Sequence, residues 1–168
     1  MNRGEQRDYR VLAIAPSTRG FGFAVLDTEK TFLDWAGRSV KGDKNGESLK
    51  KIKQLIDQYM PKVIVLPDAS AKCSRRSPRI RVLCQQIAKA AGQEVRIALF
   101  SPLQVRQSFF ALGQGTKHDI AEAITKEFPE ELGTRLPPKR QPWMSEDHRM
   151  DIFDAVALAL VYLRRRQR

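Results

Sequence analysis

Apolar residues arrive first in two short runs, residues 10–15 (RVLAIA) and 21–26 (FGFAVL), separated by Pro16-Ser17-Thr18-Arg19-Gly20. Runs of this length, rich in branched and aromatic side chains and bounded by Pro and Gly, predict strands. After a polar turn at 27–30, residues 31–40 carry Phe32, Leu33 and Trp35 and predict a third strand. Three strands joined by such short turns predict an antiparallel meander. The period then changes. Leu49, Ile52, Leu55, Ile56 and Tyr59 recur at helical spacing while Lys50, Lys51, Lys53 and Asp57 take the opposite face. A helix over 48–60, ended by Pro61, is expected. Residues 62–66 (KVIVL) are apolar nearly throughout, as in a strand covered on both faces. That predicts a central strand parallel to the first.

Further along, Ile80, Leu83, Cys84, Ile87 and Ala91 predict a helix over 80–91, and residues 95–100 a fifth strand. Pro102 opens a short helix reaching Leu112, Gly113-Gln114-Gly115 breaks the chain, and Thr116 is placed to cap a helix over 118–128. Residues 136–146 read as a linker and 151–164 as an amphipathic helix. The plan is α/β: a five-stranded mixed sheet flanked by helices, in a single domain over residues 1–163, followed by a disordered basic tail, 164–168. In open sheets of this kind, sites gather at the carboxyl ends of adjacent parallel strands. Here those ends are Ala15 and Pro67-Asp68.

Charge narrows the partners. Lys and Arg number 30 against 19 Asp and Glu, a net +11, which favours a polyanion because phosphate contacts release condensed counterions. Nucleic acid is the first such partner and an acidic membrane surface the rival. No apolar run approaches the roughly 18–20 residues that span a bilayer. The opening residues carry no apolar stretch of the secretory kind, so no membrane partner and a cytoplasmic location are expected. Cys73 and Cys84, with no second pair, fit neither a disulfide framework nor a zinc knuckle. The turn at 16–22 lacks the Gly-Lys-Ser/Thr ending of a phosphate-binding loop. Lys72, Arg75, Arg76, Arg79 and Arg81 form a basic run without an acid, suited to a nucleic-acid backbone or simply to a solvated face.

Four stretches, in order, resemble the RuvC Holliday-junction resolvase family of the RNase H-like superfamily. They are VLAIAPSTRGFG at 11–22, the strand ending at Pro67-Asp68, Arg106 followed by Gly113-Gln114-Gly115-Thr116-Lys117, and Asp151-Ile152-Phe153-Asp154-Ala155. The resemblance implies an RNase H-like fold and a homodimer acting on branched DNA in recombination, meeting through the helix at 80–91 with Leu83 and Ile87 as anchors. It also implies an endonuclease using two Mg²⁺ or Mn²⁺ ions to stabilise the attacking water and the leaving oxygen. Two of the four acidic positions depart from the pattern. The first falls on Ala15 and the second on Pro67. Asp68 is one residue late, which turns a strand side chain to the other face unless the chain bends at Pro67.

By this resemblance the metal set is Asp68, His148, Asp151 and Asp154, with Asp68, Asp151 and Asp154 catalytic and Lys117 steadying transition-state charge. Lys72, Arg75, Arg76, Arg79, Arg106 and Lys117 would bind DNA. Plainer readings stand beside these. Asp151 and Asp154 suit a helix start, Asp68 a solvated strand end, and His148 an ordinary surface. Three outcomes are open: a metal-dependent nuclease with a rewired site, a resolvase homologue that binds without cutting, and a chain whose parent has Asp in place of Ala15.

Overall fold

The computed structural model describes residues 9–70 and 77–168. Lys72, Cys73, Arg75 and Arg76 lie outside them. Strands β1 (Val11–Pro16), β2 (Gly20–Thr28) and β3 (Thr31–Ser39) form the antiparallel meander. Helix α1 (Lys44–Tyr59) leads to β4 (Val63–Pro67), α2 (Pro78–Ala91) to β5 (Arg96–Phe100). The chain continues through α3 (Pro102–Phe109), α4 (Lys117–Glu127) and the one-turn α5 (Pro129–Leu132) to α6 (Met150–Arg166). The five strands make one sheet in the order β3-β2-β1-β4-β5, with β4 parallel to both β1 and β5. The five-stranded mixed sheet expected from the apolar pattern is therefore the one formed.

Strand alternation divides the core into two layers. Val11, Ala13, Ala15, Val63 and Val65 face a cluster built on α4, α5 and α6. Leu12, Ile14, Ile64 and Leu66 face α1 and α2. Each fully buried aliphatic or aromatic side chain contributes about 1.5–3 kcal/mol, so both faces of the sheet need their helices. Leu83 and Ile87, expected to anchor a partner, are fully buried in this second layer. Helical spacing marks a face that must be covered but does not say by what, and here the chain's own sheet covers it. Val82 is the large apolar side chain that α2 leaves exposed.

Helix boundaries follow their caps. α1 begins four residues before the expected start, because the Asp43 carboxylate accepts from the Gly46 amide at 3.1 Å. Thr116 caps α4 as expected, with Asp119 returning the bond to the Thr116 amide. α6 runs to Arg166 rather than giving way to a tail at 164. Its last arginines each lie over a ring: Arg164 over Phe109, Arg165 over Phe100 and Arg166 over Tyr9, at 5.2, 5.2 and 3.5 Å. Among the described residues no helix is long and apolar enough to cross a membrane.

Gly22 sets how closely α6 meets the sheet. It pairs with Ala15 across β1–β2, and a Cβ built on it would fall 1.9 Å from the Asp151 carbonyl oxygen. Only a residue without a side chain lets the first turn of α6 rest on β2.

Candidate functional site

The site starts at the turn after β1. The Ser17 amide donates to the Gly20 carbonyl at 2.9 Å, closing the turn. Arg79 reaches it from α2, donating to the Ser17 carbonyl at 3.0 Å and to the Asn45 side chain at 3.1 Å. The Lys44 ammonium bonds the Thr18 carbonyl. Held this way, the Ser17 hydroxyl donates to Asp151 Oδ2 at 2.8 Å. Asp151 is only 6% exposed. Burial pushes its carboxyl up to about 6, against the pull of the Ser17 hydroxyl. A variant Ser17→Ala is expected to raise that value further, read as the carboxyl-carbon titration midpoint by NMR. An unchanged midpoint would show that the hydroxyl does not reach the carboxylate.

Asp154 follows one turn later on the same side of α6. Lys117, the first residue of α4, places its ammonium 3.3 Å from Asp154 Oδ2 and 3.3 Å from Glu146 Oε1. Desolvation disfavours the Lys117 charge, but Asp154 and Glu146 outweigh it and the pKa is raised. Glu146 arrives on the loop before α6, whose backbone is tied down where Arg19 donates to the Glu146 carbonyl at 2.8 Å. Oxygens of Glu146, Asp151 and Asp154 lie within 4.8 Å of one another. Three carboxylates that close are a possible hard-cation set.

The structure brings Asp151, Asp154 and Lys117 together, and adds Glu146 and Ser17, which sequence reasoning had left in a linker and a turn. The only signal for Glu146 was the density of acids in SEDHRMDIFD. Asp68 and His148 stand apart from this group. The ladder runs regularly through Pro67, which pairs with Phe100, and the Asp68 amide donates to the Phe100 carbonyl at 2.8 Å. With no bend, Asp68 keeps the opposite parity, and its carboxylate accepts from Ser70 Oγ at 2.7 Å and the Ser70 amide at 3.1 Å. His148 is exposed, with Nδ1 3.7 Å from Asp147. Asp147 in turn is engaged by Arg149, whose hydrogen bonds hold its carboxyl down at about 2.

Two concavities flank the carboxylates. The first, about 160 Å³, lies at the ends of β1 and β4, where Ala15 and Pro67 share it with Phe100, Val105, Ile120 and Phe153. Its polar side chains are Arg106, Thr116, Lys117 and Asp154. Arg106 is oriented by an Nε bond to the Gly113 carbonyl at 3.2 Å. The second, about 460 Å³, is a groove whose walls carry Arg19, His118, Lys139, Arg140, Glu146 and His148. Thr116 and Lys117 line both, so the two adjoin. Arg79, by contrast, spends its guanidinium inside the chain on the β1–β2 turn.

No family model matches the chain, and no curated protein matches it. Solved structures do. Thermus thermophilus RuvC superposes with a TM-score of 0.68 at 16% identity, covering 94% of this chain and 96% of that one. T. thermophilus RuvC in complex with a Holliday junction substrate gives 0.67 at 16%, covering 95% and 96%. The yeast mitochondrial Holliday junction resolvase gives 0.58 at 14%, covering 94% of this chain and 78% of that one. The chain thus has the RuvC-like form of the RNase H-like fold.

Proposed function

We propose that this chain recognises branched DNA through a RuvC-like surface and does not carry out two-metal hydrolysis. One observation carries the reading: at the ends of β1 and β4, Ala15 and Pro67 face a largely apolar cavity. A two-ion site needs carboxylates bridging both ions. Neither side chain has an oxygen, and the regular pairing of β4 sends Asp68 the other way. DNA binding is supported by the net charge of +11 and by Arg19, Lys139 and Arg140 along the adjoining groove. It is supported too by the fold shared with a RuvC solved on a Holliday junction. A two-fold junction asks for two copies of the chain. With Leu83 and Ile87 committed to the core, the outer face of α2 around Val82 is the part of that helix left for a partner.

A second reading has one observation behind it, the convergence of Glu146, Asp151 and Asp154. These carboxylates fit one Mg²⁺ or Mn²⁺, provided that Lys117 gives up its place between Glu146 and Asp154. Such an ion would supply electrostatic stabilisation of a phosphate oxygen. The chain's own contributions are the Ser17 bond that orients Asp151 and the Arg19 bond that delivers Glu146.

Gel shift and cleavage of a labelled four-way junction and its matched duplex, in EDTA and in Mg²⁺ or Mn²⁺, decide between them. The expected result is a junction-selective shift in EDTA that weakens steeply with salt, and no product in either metal. Equal affinity for junction and duplex would sink the first reading. Nicks that vanish in Asp154→Asn, with binding intact, would establish the second.

A further inference from the structure

We infer that the apolar cavity at the ends of β1 and β4 receives one unstacked pyrimidine base, while the flanking phosphates lie in the basic groove beside it. The inference rests on the DNA-binding reading and names the part of the DNA that this site takes. Its first support is the lining. Ala15, Pro67, Phe100, Val105, Ile120 and Phe153 leave nothing for a phosphate or a hydrated ion to bond over most of the wall. A flat, weakly hydrated ring suits it.

Size chooses between the rings. At about 160 Å³, the cavity matches engineered apolar cavities of about 150 Å³ that admit benzene. One six-membered ring fits, so a pyrimidine is preferred to the two fused rings of a purine. The third support is continuity. Thr116 and Lys117 belong to both concavities, so the apolar cavity adjoins a groove carrying Arg19, Lys139 and Arg140. A nucleotide has this division, an apolar ring tethered to an anionic backbone. Arg106 and Thr116 add donors for the carbonyl oxygens of a pyrimidine. At a branch point or a bulge a base is already partly unstacked, which lowers the cost of turning it into a pocket.

The test uses duplexes with one unpaired T, one unpaired A or one abasic bulge, and the fully paired duplex, with the whole chain described above in EDTA. Its variants are Val105→Trp and Val105→Ala. Val105 is half-buried on α3, where it lines the cavity and packs against the edge of the core, so a larger side chain there fills the cavity, and duplex affinity serves as the control for folding. Wild type is expected to bind the T bulge roughly tenfold more tightly than paired duplex, the size of one base's stacking. The A and abasic bulges should fall near the duplex. Val105→Trp should bring the T bulge down to duplex affinity and leave duplex affinity itself within about twofold, which also shows that it folds. Val105→Ala should keep the preference. Equal binding of T and abasic bulges, or a T-bulge preference that survives Val105→Trp, would overturn the inference and leave the DNA-binding reading standing. Failure of wild type to bind any of these DNAs would overturn both. Laurate binding that Val105→Trp abolishes, with bulge preference untouched, would reassign the cavity to anionic amphiphiles.

Discussion

Gly22→Ala is expected to lower stability by about 3 kcal/mol, the upper end of what overpacking costs in a well-packed interior. The reason lies in a backbone contact. The added Cβ would fall 1.9 Å from the Asp151 carbonyl oxygen and 2.3 Å from its carbonyl carbon. Neither atom can move without lifting the first turn of α6, whose following residues are almost entirely buried. For a domain of this size the change corresponds to a melting point lower by roughly 6–12 °C. The same movement draws Asp151 away from the Ser17 hydroxyl on the β1–β2 turn, so if the carboxylates take a cation, Mn²⁺ affinity, read by electron paramagnetic resonance, should fall with the stability. A variant within about 0.5 kcal/mol of wild type, in the range of ordinary surface changes, would show that this contact is not close-packed.

Asp151→Asn should have the opposite sign in metal-free buffer, raising stability at pH 8 by on the order of 1–3 kcal/mol. Burial holds the folded carboxyl at about 6, above its ordinary 3.8. Above pH 6 the folded chain keeps a buried charge that the unfolded chain would solvate, so ionised Asp151 works against folding. Between about 6 and 3.8 the folded state binds the proton and the unfolded state does not, so stability from this group rises as pH falls. Below that window both states are protonated and the cost is gone. Asparagine removes the titration while its carbonyl can still accept from the Ser17 hydroxyl. The gain should therefore shrink as pH drops below 6, measured by urea denaturation in EDTA. Added Mg²⁺ or Mn²⁺ should stabilise wild type and not the variant if the carboxylates take a cation. An Asn variant less stable than wild type at pH 8 in EDTA would sink the argument.

Both predictions rest on Asp151, and its importance was only half legible in the chain. Its spacing from Asp154, and the apolar residues between and after them, mark a helix with two acids on one side. Its partner Ser17 is 134 residues away, in a turn that by itself resembles any tight hairpin. Lys117 is 37 residues from Asp154 and 29 from Glu146, and no local pattern ties the three together. Arg79 looked like part of a basic surface because charge alone does not distinguish a guanidinium facing solvent from one tying a turn to a helix.

The sequence by itself determined the five strands, the longer helices and their order, though neither the one-turn α5 nor the exact helix ends, because strand and helix periods are local properties that the apolar pattern records. It also determined the chemistry missing from the site, since Ala15 and Pro67 have no side-chain oxygen in any fold. Tertiary structure alone decided the rest. The unbroken β4–β5 ladder kept Asp68 on the wrong face, an Arg19 bond brought Glu146 out of a linker into the cluster, and the chain's own sheet covered Leu83 and Ile87. Each of these depends on what one segment meets when another, distant in the chain, is packed against it.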